Sequence, residues 1–254
     1  MRRSSIAFAA GLAAVLAAAW GTAWLVPSVR ASDDTLLYLT WHAPYGTPGA
    51  TTDLAAAWGD TTSEDTLYLT CDVGTDSESF NGFMATLLLH AQIGDTLAPH
   101  WRFGHGMHDL KNVRPLWSTD SIPGARVPWM GLGGKKSVGA IHYDYSSGTG
   151  TLKMTFAVGA GFSKPLKFGD RYCLARLLFR RPSADEADAR RPICIEWATS
   201  TLSFWFGFDP VVTRGARFVT WNSPDGQVCE PFRAPLRVRA WKPASAPPAV
   251  LPGH

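Results

Sequence analysis

The segment HWRFGHGMHD places His100, His105, His108 and Asp109 within ten residues. Three imidazoles and a carboxylate are the donor set of a transition-metal site, and the intervening glycines let a loop wrap around an ion. Such a set would serve a metal-dependent hydrolase. The spacing argues against it, being neither HExxH nor a helical i, i+4 pair with a general base alongside. The reading is a His-rich surface loop, and no metal is assigned.

Other chemistry-bearing motifs fail in similar ways. GLGGKKS (residues 131–137) lacks the glycine spacing of a phosphate loop. No GxSxG elbow is present, and no short-range carboxylate pair falls where a strand would present it. Asp72, Asp76 and Glu78 in DVGTDSES lack the glycine and terminal glutamate of a calcium loop and read as solvated turn acids. The expectation is a chain without catalytic residues and without a cofactor.

Tryptophan is the remaining candidate for recognition. Of 11 tryptophans, Trp20 and Trp24 lie in the apolar N-terminal run. Trp197, Trp205 and Trp221 fall in alternating segments and read as core. Trp101, Trp117 and Trp129 fall in residues 99–134, a stretch interrupted by Pro and Gly that does not read as regular strand. Rings on such a surface stack on sugars or anchor a protein, so these three are the expected binding residues.

The elements that would position them alternate with period two. In residues 66–73, Leu67, Leu69, Cys71 and Val73 share one face, with Thr66, Tyr68, Thr70 and Asp72 opposite. In residues 83–93, Phe83, Ala85, Leu87, Leu89, Ala91 and Ile93 share a face against Thr86, His90 and Gln92. Residues 138–145 and 151–158 flank SSGTG, a Gly-containing hairpin loop. Further strands are expected at 172–179, 193–197, 202–208 and 217–221. Helix is scarce, with at most a turn or two at 53–58 and 183–190. The fold class is all-β: an antiparallel β-sandwich of jelly-roll type with about nine strands and little helix.

Both ends differ from this middle. Arg2-Arg3, an apolar run over residues 6–26 and Val29-Arg30-Ala31 form the n-region, h-region and small-x-small site of a signal peptide, expected at 1–31. The competing reading is an uncleaved anchor, since about 20 apolar residues also cross a bilayer. After cleavage no membrane span is expected. Loss of residues 1–31 takes Lys+Arg from 24 to 21, equal to the 21 Asp+Glu, so no field draws the mature chain to nucleic acid. Residues 32–63 read as an N-terminal extension with a candidate edge strand, 64–232 as the sandwich, and 233–254 as a Pro-rich tail. All four cysteines follow the signal, as disulfides in an exported chain would. Cys194 and Cys229, each at the edge of a predicted strand, form the first candidate bridge. For Cys71 and Cys173, buried thiols and a second bridge are both open.

The order of these pieces carries a resemblance. An acidic loop precedes Gly82-Phe83 and its strand to Leu89; a GTL-type strand runs from Gly150 to Phe156. Another occupies Leu174 to Phe179, and the last, Phe218 to Val228, contains an Asp225-Gly226 turn. This succession resembles the cohesin-like domains of bacterial secreted proteins over about residues 64–230. The resemblance implies a nine-stranded jelly-roll-like sandwich, similar to certain carbohydrate-binding modules, that binds through a sheet face and has no catalytic residues. Known cohesins hold dockerin modules; this chain departs from them in its four cysteines and in its insertions at 99–134 and 183–191. The leading expectation is therefore an exported binding or structural module, secreted or in the periplasm or cell envelope, that recognises a protein partner. The alternative is a polysaccharide-binding module using Trp117 and Trp129, and the third is the His-loop hydrolase.

Overall fold

The computed structural model describes residues 35–55, 63–92, 94–104, 106–107, 110–117, 120–132, 137–204, 207–211, 215–223 and 229. The alternating runs of the sequence become strands, bounded where turn residues interrupt the alternation. In chain order these are β1 (Leu36–Trp41), β2 (Asp53–Leu54), β3 (Glu64–Asp72), β4 (Ser77–Ala91), β5 (Gly106–Met107), β6 (Val113–Trp117) and β7 (Ser137–Ser146). They are followed by β8 (Thr149–Val158), β9 (Lys164–Leu166), β10 (Arg171–Arg180), β11 (Ile193–Phe204), β12 (Gly207–Val211) and β13 (Phe218–Trp221). The described helical turns are short 3-10 pieces such as Pro99–Trp101 and Ala187–Arg190. Among the described residues no helix is long and apolar enough to cross a membrane.

The strands form two sheets. One has the order β1-β3-β10-β6; the other runs β2-β13-β11-β4-β8-β7-β5, with β12 on β11 and β9 on the start of β4. All pairings are antiparallel except β13 with β2. The inner faces meet through Leu37, Leu39, Leu67, Leu69, Leu87, Leu89, Leu152 and Ile195, all fully buried. Apolar area taken from water between two half-apolar sheets is the main stabilising term of this architecture.

Several expectations are corrected by the strands themselves. There are thirteen strands among the described residues rather than about nine. Asp53 and Leu54, expected to begin a helical turn, extend beside Thr220 and Trp221 instead. The strand expected at 193–197 and the first part of that expected at 202–208 are one strand, β11, broken in phase by a bulge between Trp197 and Thr199, while Gly207 and Phe208 belong to β12. β1 is not a correction but an edge strand where one was a candidate: it closes one side of its sheet, pairs with β3 over Leu36–Trp41 and buries Leu37, Leu39 and Trp41 completely. β6 lies inside the stretch that did not read as strand. There Arg180 N donates to Asn112 O, so even-numbered positions face β10 and Pro115 turns its missing donor outward at the sheet edge.

The β7–β8 turn is as short as its sequence allows. Ser147 and Gly148 both take positive φ, 51° and 83°, the two-residue geometry that matches strand twist.

Candidate functional site

His100 is spoken for by structural contacts. It sits in the Pro99–Trp101 turn, buried, with Nε2 3.0 Å from Arg180 O and Nδ1 3.2 Å from Glu186 Oε1. A carbonyl only accepts, so Nε2 carries a proton; Nδ1 then accepts from Asn112 Nδ2, at 3.3 Å, when the ring is neutral. Arg180 bonds both Asn112 Oδ1, at 2.7 Å, and Glu186. Burial pushes the His100 imidazole below its ordinary value against the pull of Glu186. Burial alone would raise the Glu186 carboxyl, but the Ser183 amide, His100 and Arg180 together hold it down at about 2. The cluster fastens residues 183–190 to the 99–101 turn. His105, His108 and Asp109 lie outside the described residues, and among those described no group of three His, Cys, Asp or Glu is placed to hold a metal.

Because the folded state lowers the His100 pKa, its stabilising share is complete above the unfolded value of about 6.5 and is lost as pH falls through that value towards the folded one. The difference in unfolding midpoint between wild type and His100→Gln is expected to narrow on acidification from pH about 7.5 to about 5. A gap that widens over that range contradicts the neutral-ring assignment.

Two acids of the 72–78 turn are likewise engaged. Asp72 takes Arg171 through two bonds of 2.7 and 2.6 Å, and Asp76 accepts from Phe168 N at 2.6 Å and from Lys167 Nζ at 3.2 Å. The guanidinium of Arg171 also lies over Tyr38 and Tyr45, which stack at 4.0 Å. Burial, reinforced by Asp72, pushes the Tyr38 hydroxyl up to about 12.

The three tryptophans expected to form a recognition surface do not form one. Trp101 and Trp129 are 0% exposed. Trp101 packs edge-on to Trp221 at 5.0 Å, and Trp129 stacks on Phe80 at 4.9 Å and meets Phe156 at 4.7 Å. Trp117 is half-buried, stacked on Phe156 at 5.2 Å, and its ring edge fills the space a Cβ at Gly139 would need. The described parts of this segment insert these rings against the sheets, because burying a large aromatic surface outweighs leaving it in water. A sugar-stacking platform built on these three residues is thereby withdrawn.

The Cys194–Cys229 bridge is present, with Cα atoms 5.7 Å apart. Cys71 and Cys173 are buried and carry no disulfide.

What remains open is the outer face of the larger sheet. Register places Thr199, Thr86, Lys153 and His142 in one row across β11, β4, β8 and β7. The next row is Thr201, Met84, Thr155 and Ala140, and the third is Ser203, Gly82, Ala157 and Val138. In these rows the formal charge is that of Lys153; the rest is hydroxyl and small apolar surface. Two of the four large hydrophobics that are exposed, Met84 at 41% and Val138 at 69%, stand here. One end of the face is closed where Cys194, opposite His90 and Thr220, is bridged to Cys229. The period-two pattern marked Thr86 as outward-facing, but nothing in one strand shows that β11, β4 and β8 bring their hydroxyls onto one face.

No protein-family model and no curated protein matches the chain. Among solved structures, similarity is found to the second type II cohesin module of the adaptor ScaA scaffoldin of Acetivibrio cellulolyticus, at 10% identity and TM-score 0.42, over 74% of this chain and 96% of that one. A type I cohesin–dockerin complex of Clostridium thermocellum is similar at 13% identity and TM-score 0.34, over 74% and 92%. The C-terminal domain of the antigen I/II-family protein AspA of Streptococcus pyogenes is similar at 12% identity and TM-score 0.31, over 74% and 46%.

Proposed function

We propose that the chain is an exported, non-catalytic module that docks a protein partner, in the cell envelope or extracellular space, through the outer face of β11, β4, β8 and β7. The observation that carries this reading is the open sheet face, hydroxyl and small apolar around Lys153, with Met84 and Val138 exposed at its centre and edge; the row nearer the bridge, Glu196, Leu88, Thr151 and Asp144, bounds it with two carboxylates, of which Glu196 is paired with Arg217. Hydroxyls and small apolar groups lose little on desolvation, and two exposed aliphatic anchors supply the apolar core an interface needs. The Cys194–Cys229 bridge supports export, since such bridges persist in oxidising compartments.

The test is retention of envelope and secreted proteins on immobilised wild type beside Met84→Lys and Val138→Glu variants. Both substitutions leave the core untouched, so stability is expected to move by no more than about 0.5 kcal/mol. Partner retention is expected to fall ~30-fold in each, the effect of losing an anchor worth about 2 kcal/mol. A partner held equally by wild type and both variants would falsify the assignment of this face.

A further inference from the structure

The four-stranded sheet also turns one face outward, and its chemistry is different. We infer that this face is a second docking surface, for an extended peptide segment of a partner that carries a carboxylate two residues from an aliphatic side chain. It lies on the sheet opposite the face proposed above and does not depend on it.

Seven described arginines reach an acid within 3.2 Å. Arg102 donates to Leu97 O and lies over Tyr145, and Arg190 is also engaged. Among the described arginines Arg176 alone has neither an acid nor an acceptor, although it is half-buried and its Nε is enclosed without a partner. Register sets it in a row between Tyr68 of β3 and Leu116 of β6, both half-buried. Their side chains flank its stem and hold the guanidinium at the sheet surface. A cation partly removed from water with no counter-charge is unfavourable, and a carboxylate meeting its planar fork reverses that.

A second feature fixes what stands beside the carboxylate. Two residues along β10 on the same face, Leu178 floors a cleft of about 250 Å³ whose other apolar lining is Leu110 and Val113. The rim is the Arg114–Glu64 ion pair, closed by bonds of 2.9 and 2.7 Å. The spacing between Arg176 and Leu178 is about 6.6 Å, the repeat of same-face side chains in an extended chain. A peptide laid along β10 therefore sets an acid on Arg176 as it seats an aliphatic side chain over Leu178. The apolar floor beside Arg176 favours a peptide, because a phosphate backbone brings no aliphatic side chain to seat over Leu178.

The experiment is fluorescence anisotropy of the protein expressed from its full sequence with the labelled peptide Thr-Leu-Thr-Glu-Thr-Leu-Thr, whose two leucines present the pair in either chain direction. Its counterparts replace Glu by Gln, or both Leu by Ser. The Glu peptide is expected to bind at least ~10-fold more tightly than either counterpart. Arg176→Gln should abolish the Glu–Gln difference with an unfolding midpoint no lower than that of the wild type, because Arg176 makes no bond among the described residues and its unpaired charge favours nothing in the fold, and Met84→Lys should leave binding unaltered. Equal binding of the Glu and Gln peptides, no binding up to millimolar peptide, or undiminished selectivity in Arg176→Gln would each overturn the proposal.

Discussion

Trp129→Ala is expected to destabilise the fold by about 3 kcal/mol and to lower the unfolding midpoint by about 10 °C, without a selective loss of binding by the protein that stays folded. The ring is wholly enclosed and touches three aromatics, Phe80, Phe83 and Phe156, which belong to strands of one sheet. Those strands are held by their ladders, so they cannot close the space that a lost indole leaves, and truncation of a buried tryptophan costs about 3–5 kcal/mol. The figure belongs at the lower end because Trp129 Nε1 is buried without an acceptor, a penalty the alanine removes. Denaturant unfolding followed by near-UV circular dichroism measures the change. Trp117→Ala, at a half-buried position, should cost less. A Trp129→Ala protein of unchanged stability that lost retention on a polysaccharide would restore the ring to a binding surface.

The contrast between these tryptophans and the strands shows what the chain makes legible. A strand's inner and outer faces are written locally, so Leu67, Leu69, Phe83, Leu87 and Leu89 could be assigned to the core from alternation alone, and they are fully or almost fully buried. The fate of Trp101 depends on Trp221 and Phe179, and that of His100 on Glu186, 86 residues away, none of which is announced by spacing. Phase slips conceal structure too: one bulge in β11 makes a continuous strand read as two. Proline misleads for a similar reason, because Pro115 argues against a strand unless its outward edge position is known. The proposed docking face was half legible. Its outward threonines follow from alternation, whereas the charge-poor surface they make together exists only once β11, β4, β8 and β7 are in register.

Loss of the Cys194–Cys229 bridge is expected to cost about 4 kcal/mol. The bridge closes a loop with a sequence separation of 35 residues, and the chain-entropy relation gives about 3.8 kcal/mol at 25 °C for that length. Native contacts at the site add to its value in the folded state: Cys194 lies in β11 between the ladders to β4 and β13, and Cys229 contacts Val219 O. Equilibrium unfolding of Cys229→Ser against the oxidised wild type measures the effect, and wild type in reductant should match the variant. That equivalence is informative because Cys71 and Cys173 carry no disulfide, so the Cys194–Cys229 bridge is what the reductant acts on. A loss under about 1 kcal/mol would mean that the unbridged chain is already confined near Cys229. A full loss, together with weakened partner retention, would mean that the bridge also holds the end of β11 where the docking face begins.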